Sequence, residues 1–228
     1  MKTDDVWLVV PLYNEAAVIA DVVREALQAF PNIVCVDDGS HDDSAVLAAA
    51  AGAHVVQHPV NLGQGAALQT GIEYALYDPS MSYVVTFDAD GQHQVQDVLD
   101  MLERIRRDDL HVVFGSRFLD ARSEASALKR LVLKTAVVYT NLTTGTKLTD
   151  AHNGMRVLSR TVAERLQITQ NGMAHASEIV AQIGAMRVDG APVRYAEAPV
   201  HVLYTDYSRA KGQSLWNSVN ILVELILR

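Results

Sequence analysis

An α/β fold with a mainly parallel central sheet is what this sequence predicts, and three observations predict it. Short apolar runs alternate with helix-like stretches through the first half of the chain. The runs show little polar alternation, as strands covered on both faces do. Polar residues cluster at the ends of the runs, where open α/β sheets bind ligands. The chain has 228 residues, 49% of them apolar, which is material for one large core. No repeat, low-complexity tract or linker divides it, so a single domain is expected.

The elements follow in order. Val6 to Val10 reads as a strand and Ala16 to Ala29 as a helix, with Asn14 as a candidate N-cap. Ile33 to Val36 is the second strand. Asp42 to Ala51 is the second helix, capped by Asp42 or Ser40. His54 to Gln57 is a short strand and Ala66 to Tyr77 a helix. Tyr83 to Phe87, Val95 to Arg107 and His111 to Phe114 complete the strand–helix–strand alternation that implies βαβ units. The second half reads differently. Ala127 to Thr144 is a long helical stretch, and Asp150 to Arg160 is mixed around an Asn153-Gly154 turn signal. Ser177 to Met186 is helical, and Val193 to Val202 is strand-like, with Pro192 and Pro199 marking its breaks. Ser214 to Leu227 is an apolar helix.

Bulk properties exclude several functions. A net charge of −8 argues against a nucleic-acid surface, which shows a basic patch. The single cysteine, Cys35, lies in an apolar run and excludes a disulfide scaffold. Residues 1–5 lead straight into the first strand without a signal peptide pattern. No apolar run reaches the ~20 residues that span a bilayer. The expectation is a cytoplasmic, soluble chain.

Asp88-Ala89-Asp90-Gly91-Gln92-His93 carries the strongest chemical signal. Two carboxylates one residue apart at a strand end repel each other, and burial makes each ion costlier. A divalent cation resolves that conflict, and hard cations such as Mg2+ or Mn2+ prefer oxygen ligands. An exposed acidic turn is the plainer alternative. Three more clusters stand at strand ends. Pro11-Leu12-Tyr13-Asn14-Glu15 offers a ring that stacks and a carboxylate for hydroxyls. In Asp37-Asp38-Gly39-Ser40, Asp38 can accept a base N–H. Gly115-Ser116-Arg117 places an arginine suited to phosphate. Asn61-Leu62-Gly63-Gln64-Gly65 opens a helix whose positive end favours anions. It is not a dinucleotide fingerprint, because Leu68 holds the third glycine position. A calcium loop lacks its alternating acids. An aspartyl-phosphate phosphatase would place its nucleophile after the first strand, not the fourth.

Taken together and in this order, the clusters resemble the inverting family 2 glycosyltransferases of GT-A fold, of the polyprenyl-phosphate sugar transferase type. Asp150-Ala151-His152-Asn153-Gly154-Met155-Arg156 resembles the family's later Asp…Gly-Phe-Arg element, and Tyr207 to Ser214 its basic loop. The resemblance implies a catalytic domain over 1–213 and an apolar helix over 214–228. It implies that Pro11, Tyr13, Glu15 and Asp38 hold the nucleoside of a UDP- or GDP-sugar. Asp88, Asp90 and Gln92 would hold Mg2+ or Mn2+ on the diphosphate, with Arg209 and Lys211 closing over it. Arg117 and Arg130 would face a polyprenyl phosphate acceptor. A hydroxyl acceptor, on a glycan or small molecule, would need Asp150 or Glu178 as base. Gln64 stands where many relatives have lysine, and Met155 replaces the usual phenylalanine. Two rivals stay open: a non-catalytic nucleotide-sugar-binding subunit, and a nucleotidyltransferase, which lacks its glycine-rich loop here. The apolar segment 214–228 has three docking alternatives. They are its own domain or a second copy in a homodimer, the inner face of the cell membrane, and a small membrane-protein partner.

Overall fold

The computed structural model describes residues 2–119, 141 and 144–203. Arg130, Arg209, Lys211, the helix expected over 214–228 and nearly all of that expected over 127–144 lie outside the described residues. A seven-stranded sheet runs in the order β3-β2-β1-β4-β6-β5-β9. Its strands are β1 (Val6–Leu12), β2 (Asn32–Asp37), β3 (His54–Gln57), β4 (Tyr83–Thr86), β5 (Val112–Ser116), β6 (Arg156–Ser159) and β9 (Tyr195–Pro199). The helices are α1 (Ile19–Leu27), α2 (Ser44–Ala51), α3 (Gln64–Leu76), α4 (Val95–Arg107), α5 (Arg160–Ala163) and α6 (His175–Ala185). A two-residue hairpin, β7 (Arg187–Val188) and β8 (Ala191–Pro192), stands apart from the sheet.

Both faces of the sheet are covered, which explains the unbroken apolar strands. On β1, Trp7 and Val9 enter one core with Leu68 and Ile72 of α3. Val6, Leu8, Val10 and Leu12 enter the other with Val23 of α1 and Met101 of α4. Each such side chain, fully buried, contributes roughly 1.5–3 kcal/mol. Helix α3 lies directly on the sheet: a Cβ at Gly71 would stand 2.3 Å from Val9 Cγ1. Helix α4 buries Val98, Met101, Leu102 and Ile105, the i, i+3, i+4, i+7 stripe of an amphipathic helix. Its last turn carries Arg104, Arg106 and Arg107, which suit the negative end of the helix dipole. Arg106 also reaches back to Asp5 at 2.8 Å.

Strand β6 corrects the reading of residues 150–160 as merely mixed. It inserts antiparallel between β4 and β5. The other four pairings are parallel, so the sheet is mainly parallel with one reversed strand. That reversal matters for the site. Thr86 pairs with Arg156, and Phe114 pairs with the same residue. The chain entering β6 therefore shares an edge with the chain leaving β1, β2, β4 and β5.

Local capping also differs from expectation. Asn14 is not an N-cap. It takes a left-handed φ of 53°, accepts the His41 N–H at 2.9 Å and gives its own N–H to Ser40 Oγ. It stitches two loops together instead of starting α1, which begins at Ile19 with no side-chain cap. Asp42, not Ser40, accepts the Ser44 N–H at the start of α2. The strand expected over 193–202 contracts to β9.

Candidate active site

A pocket of about 290 Å³ opens at the carboxyl ends of β1, β2 and β4. Parallel pairing puts it there, because Leu12 is level with Asp37 and Val9 with Thr86. The residues just past each strand therefore emerge side by side. Pro11, Tyr13, Glu15, Asp38, Asp88 and Asp90 all line the pocket, with Asn61, Gly63 and Gln64 from the loop before α3. Tyr13 is exposed at the rim, with 40% of its surface accessible.

Asp38 is buried, and most of its acceptor capacity is used within the protein. Its Oδ1 accepts the Leu62 N–H at 2.9 Å and faces His58 Nδ1 at 2.8 Å. Its Oδ2 accepts the Gly63 N–H at 2.7 Å. A carboxylate has about four lone-pair sites, so about one remains for a ligand.

The Asp88–Asp90 pair is electrostatically uneasy. Burial and the neighbouring Asp88 charge push the Asp90 carboxyl up to about 6. Asp90 Oδ1 accepts the Gln92 N–H at 3.0 Å. The Gln92 side chain is not among the groups lining the pocket. His93, unremarked in the sequence beyond its place in the motif, folds back on Asp88. Its Nδ1 accepts the Asp88 N–H, and its Nε2 stands 3.3 Å from Asp88 Oδ2. Gln64 Nε2 lies 3.5 Å from Asp88 Oδ1. Gly154 is pressed against the same carboxylate: a Cβ there would stand 2.5 Å from Asp88 Oδ2. The turn signal at Asn153-Gly154 thus has a second use, which only the fold reveals.

The remaining expected residues among those described sit outside this pocket. Arg117 binds Asp150 in a bidentate pair, Nε to Oδ2 at 2.7 Å and Nη2 to Oδ1 at 2.9 Å. Burial pushes the Asp150 pKa up, but the Arg117 charge and hydrogen bonds outweigh it and the net shift is downward. Asp150 therefore stands as the anchor of Arg117. Glu178, the other expected base, accepts the Thr169 and Gln170 N–H groups at 2.9–3.2 Å. It holds a loop that backs onto the pocket, since Gly65 N–H donates to Asn171 O in the same loop. Arg156 is fully buried, and burial lowers its pKa to about 10 against the pull of Asp88 and Asp150. Its Nε and Nη2 have no hydrogen-bond partner among the described residues. Burial likewise lowers His152 to about 4, so that ring is neutral at physiological pH.

This pocket and its carboxylate pair fall within residues 7–167, which match the glycosyl transferase family 2 model. The chain is a family 2 glycosyltransferase. It is 30% identical to the uncharacterized protein MJ1222 of Methanocaldococcus jannaschii, over all of this chain and 93% of that one. It is 26% identical to the UDP-N-acetylglucosamine–dolichyl-phosphate N-acetylglucosaminyltransferase of Methanococcus voltae, over 97% of this chain and 95% of that one. Among solved structures, its fold matches Mycobacterium tuberculosis glucosyl-3-phosphoglycerate synthase in complex with Mn2+, UDP-glucose and phosphoglyceric acid. The TM-score is 0.64 at 20% identity, over 89% of this chain and 73% of that one.

Within this glycosyltransferase, local sequence signals found the carboxylates after β4 and the clusters after β1 and β2. They missed His58, His93 and the contact of Gly154 with Asp88. Each of those depends on a partner 5 to 66 residues away, and none has a spacing signature of its own.

Proposed function

We propose that this glycosyltransferase moves a sugar from a nucleoside diphosphate donor to a polyprenyl phosphate, with inversion at the anomeric carbon. One observation carries the reading: Tyr13, Asp38 and the Asp88–Asp90 pair line a single pocket. Tyr13 offers a ring for the base, Asp38 an acceptor for a base N–H, and Glu15 a carboxylate for ribose hydroxyls. Asp88 and Asp90 would supply hard oxygen donors of the kind that Mg2+ or Mn2+ prefers, and Gln92, whose side chain lies outside the lining, would have to turn in to join them. The fit is electrostatic, because burial and the Asp88 charge together raise Asp90 and a cation would offset both. When bound, such an ion neutralises charge developing on the leaving diphosphate. Arg209 and Lys211 would add to that from outside the described residues.

The acceptor follows from the expected bases. Asp150 is held by Arg117 and Glu178 by Thr169 and Gln170. A phosphate acceptor is already ionised at neutral pH and needs neither, whereas a hydroxyl needs a base. The relative from Methanococcus voltae, named for a dolichyl-phosphate acceptor, supports the same choice. Arg117, with Arg130, would orient the acceptor phosphate. No helix among the described residues is long and apolar enough to cross a membrane. Residues 214–228 would bring the site to the lipid, at the membrane surface or through a small membrane-protein partner.

The test is product analysis. Radiolabelled UDP- and GDP-sugars are incubated with Mn2+ and either a polyprenyl phosphate or a hydroxyl acceptor. Label extracted with the lipid supports the proposal. Label on the hydroxyl acceptor alone, or on neither with any donor, overturns it.

A further inference from the structure

We infer that His58 is the positioning residue for nucleobase recognition. Clamped between Asp38 and Thr70, it fixes the Asp38 carboxylate as an acceptor for a ring N–H of the base. The inference rests on the reading of Asp38 as a base contact and assigns a residue outside that reading.

The geometry is a relay across three elements. The His58 ring is almost entirely buried, with 9% of the side chain accessible, beside an Asp38 side chain at 5%. Nδ1 stands 2.8 Å from Asp38 Oδ1. Nε2 stands 3.0 Å from Thr70 Oγ1 on α3. The His58 N–H donates to Asp37 O at 2.8 Å, which pins the ring's own backbone beside the end of β2. A carboxylate only accepts, so Nδ1 carries a proton and donates to Asp38. In the neutral ring Nε2 is then an acceptor, and Thr70 Oγ1–H is its donor. The carboxylate therefore fixes the tautomer, and the hydroxyl on α3 serves the ring's other nitrogen and holds its orientation.

The consequence is specificity. With His58 and the Leu62 N–H on Oδ1 and the Gly63 N–H on Oδ2, Asp38 cannot turn freely in its pocket. Its remaining acceptor site faces a ligand as a fixed anion. A base edge presenting an N–H, as uracil and guanine do, satisfies it. Cytosine and adenine present a bare ring nitrogen at the equivalent edge, and two acceptors facing each other leave both unpaired. Without His58, the carboxylate loses one of its three restraints and the preference weakens.

The experiment titrates the intact protein by calorimetry with UDP, GDP, CDP and inorganic pyrophosphate, all with Mn2+. Parent, His58→Ala, His58→Asn, Thr70→Val and Asp38→Asn are compared. Expected for His58→Ala is about tenfold weaker binding of the preferred nucleotide, a smaller preference over CDP, and unchanged pyrophosphate binding. His58→Asn places an amide N–H where Nδ1 stood and should recover most of the loss, while Thr70→Val should show a milder loss in the same direction. Should His58→Ala fail to fold, His58→Asn and Thr70→Val decide: Thr70→Val equal to parent in affinity and preference overturns the proposal. Equal weakening of every ligand, pyrophosphate included, also overturns it, since that is general damage to the fold. If Asp38→Asn weakens the preferred nucleotide but His58→Ala leaves affinity and preference within twofold, only the role of His58 fails. If Asp38→Asn itself binds like the parent, the reading of Asp38 as a base contact fails first.

Discussion

The ends of β1, β2 and β4 share one edge of the sheet with the end of β5 and the start of β6, yet the two groups hold charge in opposite ways. On the first side, Asp88 and Asp90 face an open pocket with no arginine or lysine paired to either among the described ion pairs, and Asp90 is pushed up to about 6. On the second side, Asp150 is buried, but Arg117 grips both its oxygens and its pKa falls. The difference teaches which carboxylates are available for a ligand. A like-charged pair costs stability until a cation arrives, whereas a satisfied ion pair contributes to the fold and has little left to offer chemistry. Arg156 lies between the two sides, drawn electrostatically to both Asp88 and Asp150.

Substitutions on each side should therefore fail in different ways. The largest effect is expected at Asp90→Ala. It should remove metal-assisted stabilisation of the leaving group, a loss of several kcal/mol in the barrier, or about a hundredfold or more in turnover. The melting temperature should hold or rise, because a repulsive neighbour is gone. Turnover within a few-fold of the parent would erase the distinction between the two sides.

Asp150→Ala should do the reverse. It leaves the Arg117 guanidinium, 19% exposed, without its carboxylate, at a cost of about 3 kcal/mol in stability. Urea denaturation should show a lower midpoint, while nucleotide affinity stays near parental. An Asp150→Ala protein as stable as the parent would show that the pair with Arg117 does not support the fold.

Gly154→Ala probes the boundary. Its Cβ would press on the Asp88 carboxylate from 2.5 Å, so Asp88 or the 153–155 turn must shift. The expected outcome is weaker metal binding and a stability loss of about 1–3 kcal/mol, as for overpacking elsewhere. Manganese titration followed by thermal melting reads both.

Tyr13→Ala should be milder and confined to the first side. Nucleotide affinity should drop by roughly 1–3 kcal/mol, the value of base stacking on an aromatic ring, with no change in melting temperature. Unchanged affinity for UDP and GDP would remove Tyr13 from the pocket's function.

The smallest effect is a pH dependence of the metal-free protein. Asp90 binds its proton more tightly folded than unfolded, since its pKa rises from 3.8 to about 6. Protonation thus favours the native state. The contribution is present below the unfolded pKa and is lost as pH rises through about 6. Stability attributable to Asp90 should fall by on the order of 1 kcal/mol between pH 4 and 6.5. Asp90→Asn should flatten that part of the profile. An unchanged slope would mean that Asp90 is not strained by Asp88.

Much of the pocket at the ends of β1, β2 and β4 was legible in the sequence. Strand ends are marked by where apolar runs stop, and α4 by its periodicity, because backbone geometry and one-dimensional burial pattern are local properties. The strand ends after β1, β2 and β4 therefore located Tyr13, Asp38, Asp88 and Asp90 before any coordinates were needed. The side that holds Arg117 and Asp150 was less legible. Arg117 and Asp150 are both visible as charged residues after strands, but their pairing spans 33 residues and depends on β6 running backwards between β4 and β5. Four residues, Arg156–Ser159, are too few to show a period that distinguishes a reversed strand from a turn.

By itself, the sequence determined the alternation of elements, the two-faced core and the chemical kinds of group at each strand end. Those follow from apolar spacing and side-chain type, which need no partner to be read. Only the tertiary structure decided which charges are neutralised. Asp38 became a braced acceptor because His58, Leu62 and Gly63 close on it. Asp150 became an anchor because Arg117 reaches it. Asp88 and Asp90 kept each other's repulsion because no arginine or lysine among the described ion pairs reaches either. Electrostatic free energy depends on distance and burial in three dimensions, and neither is a property of position along the chain.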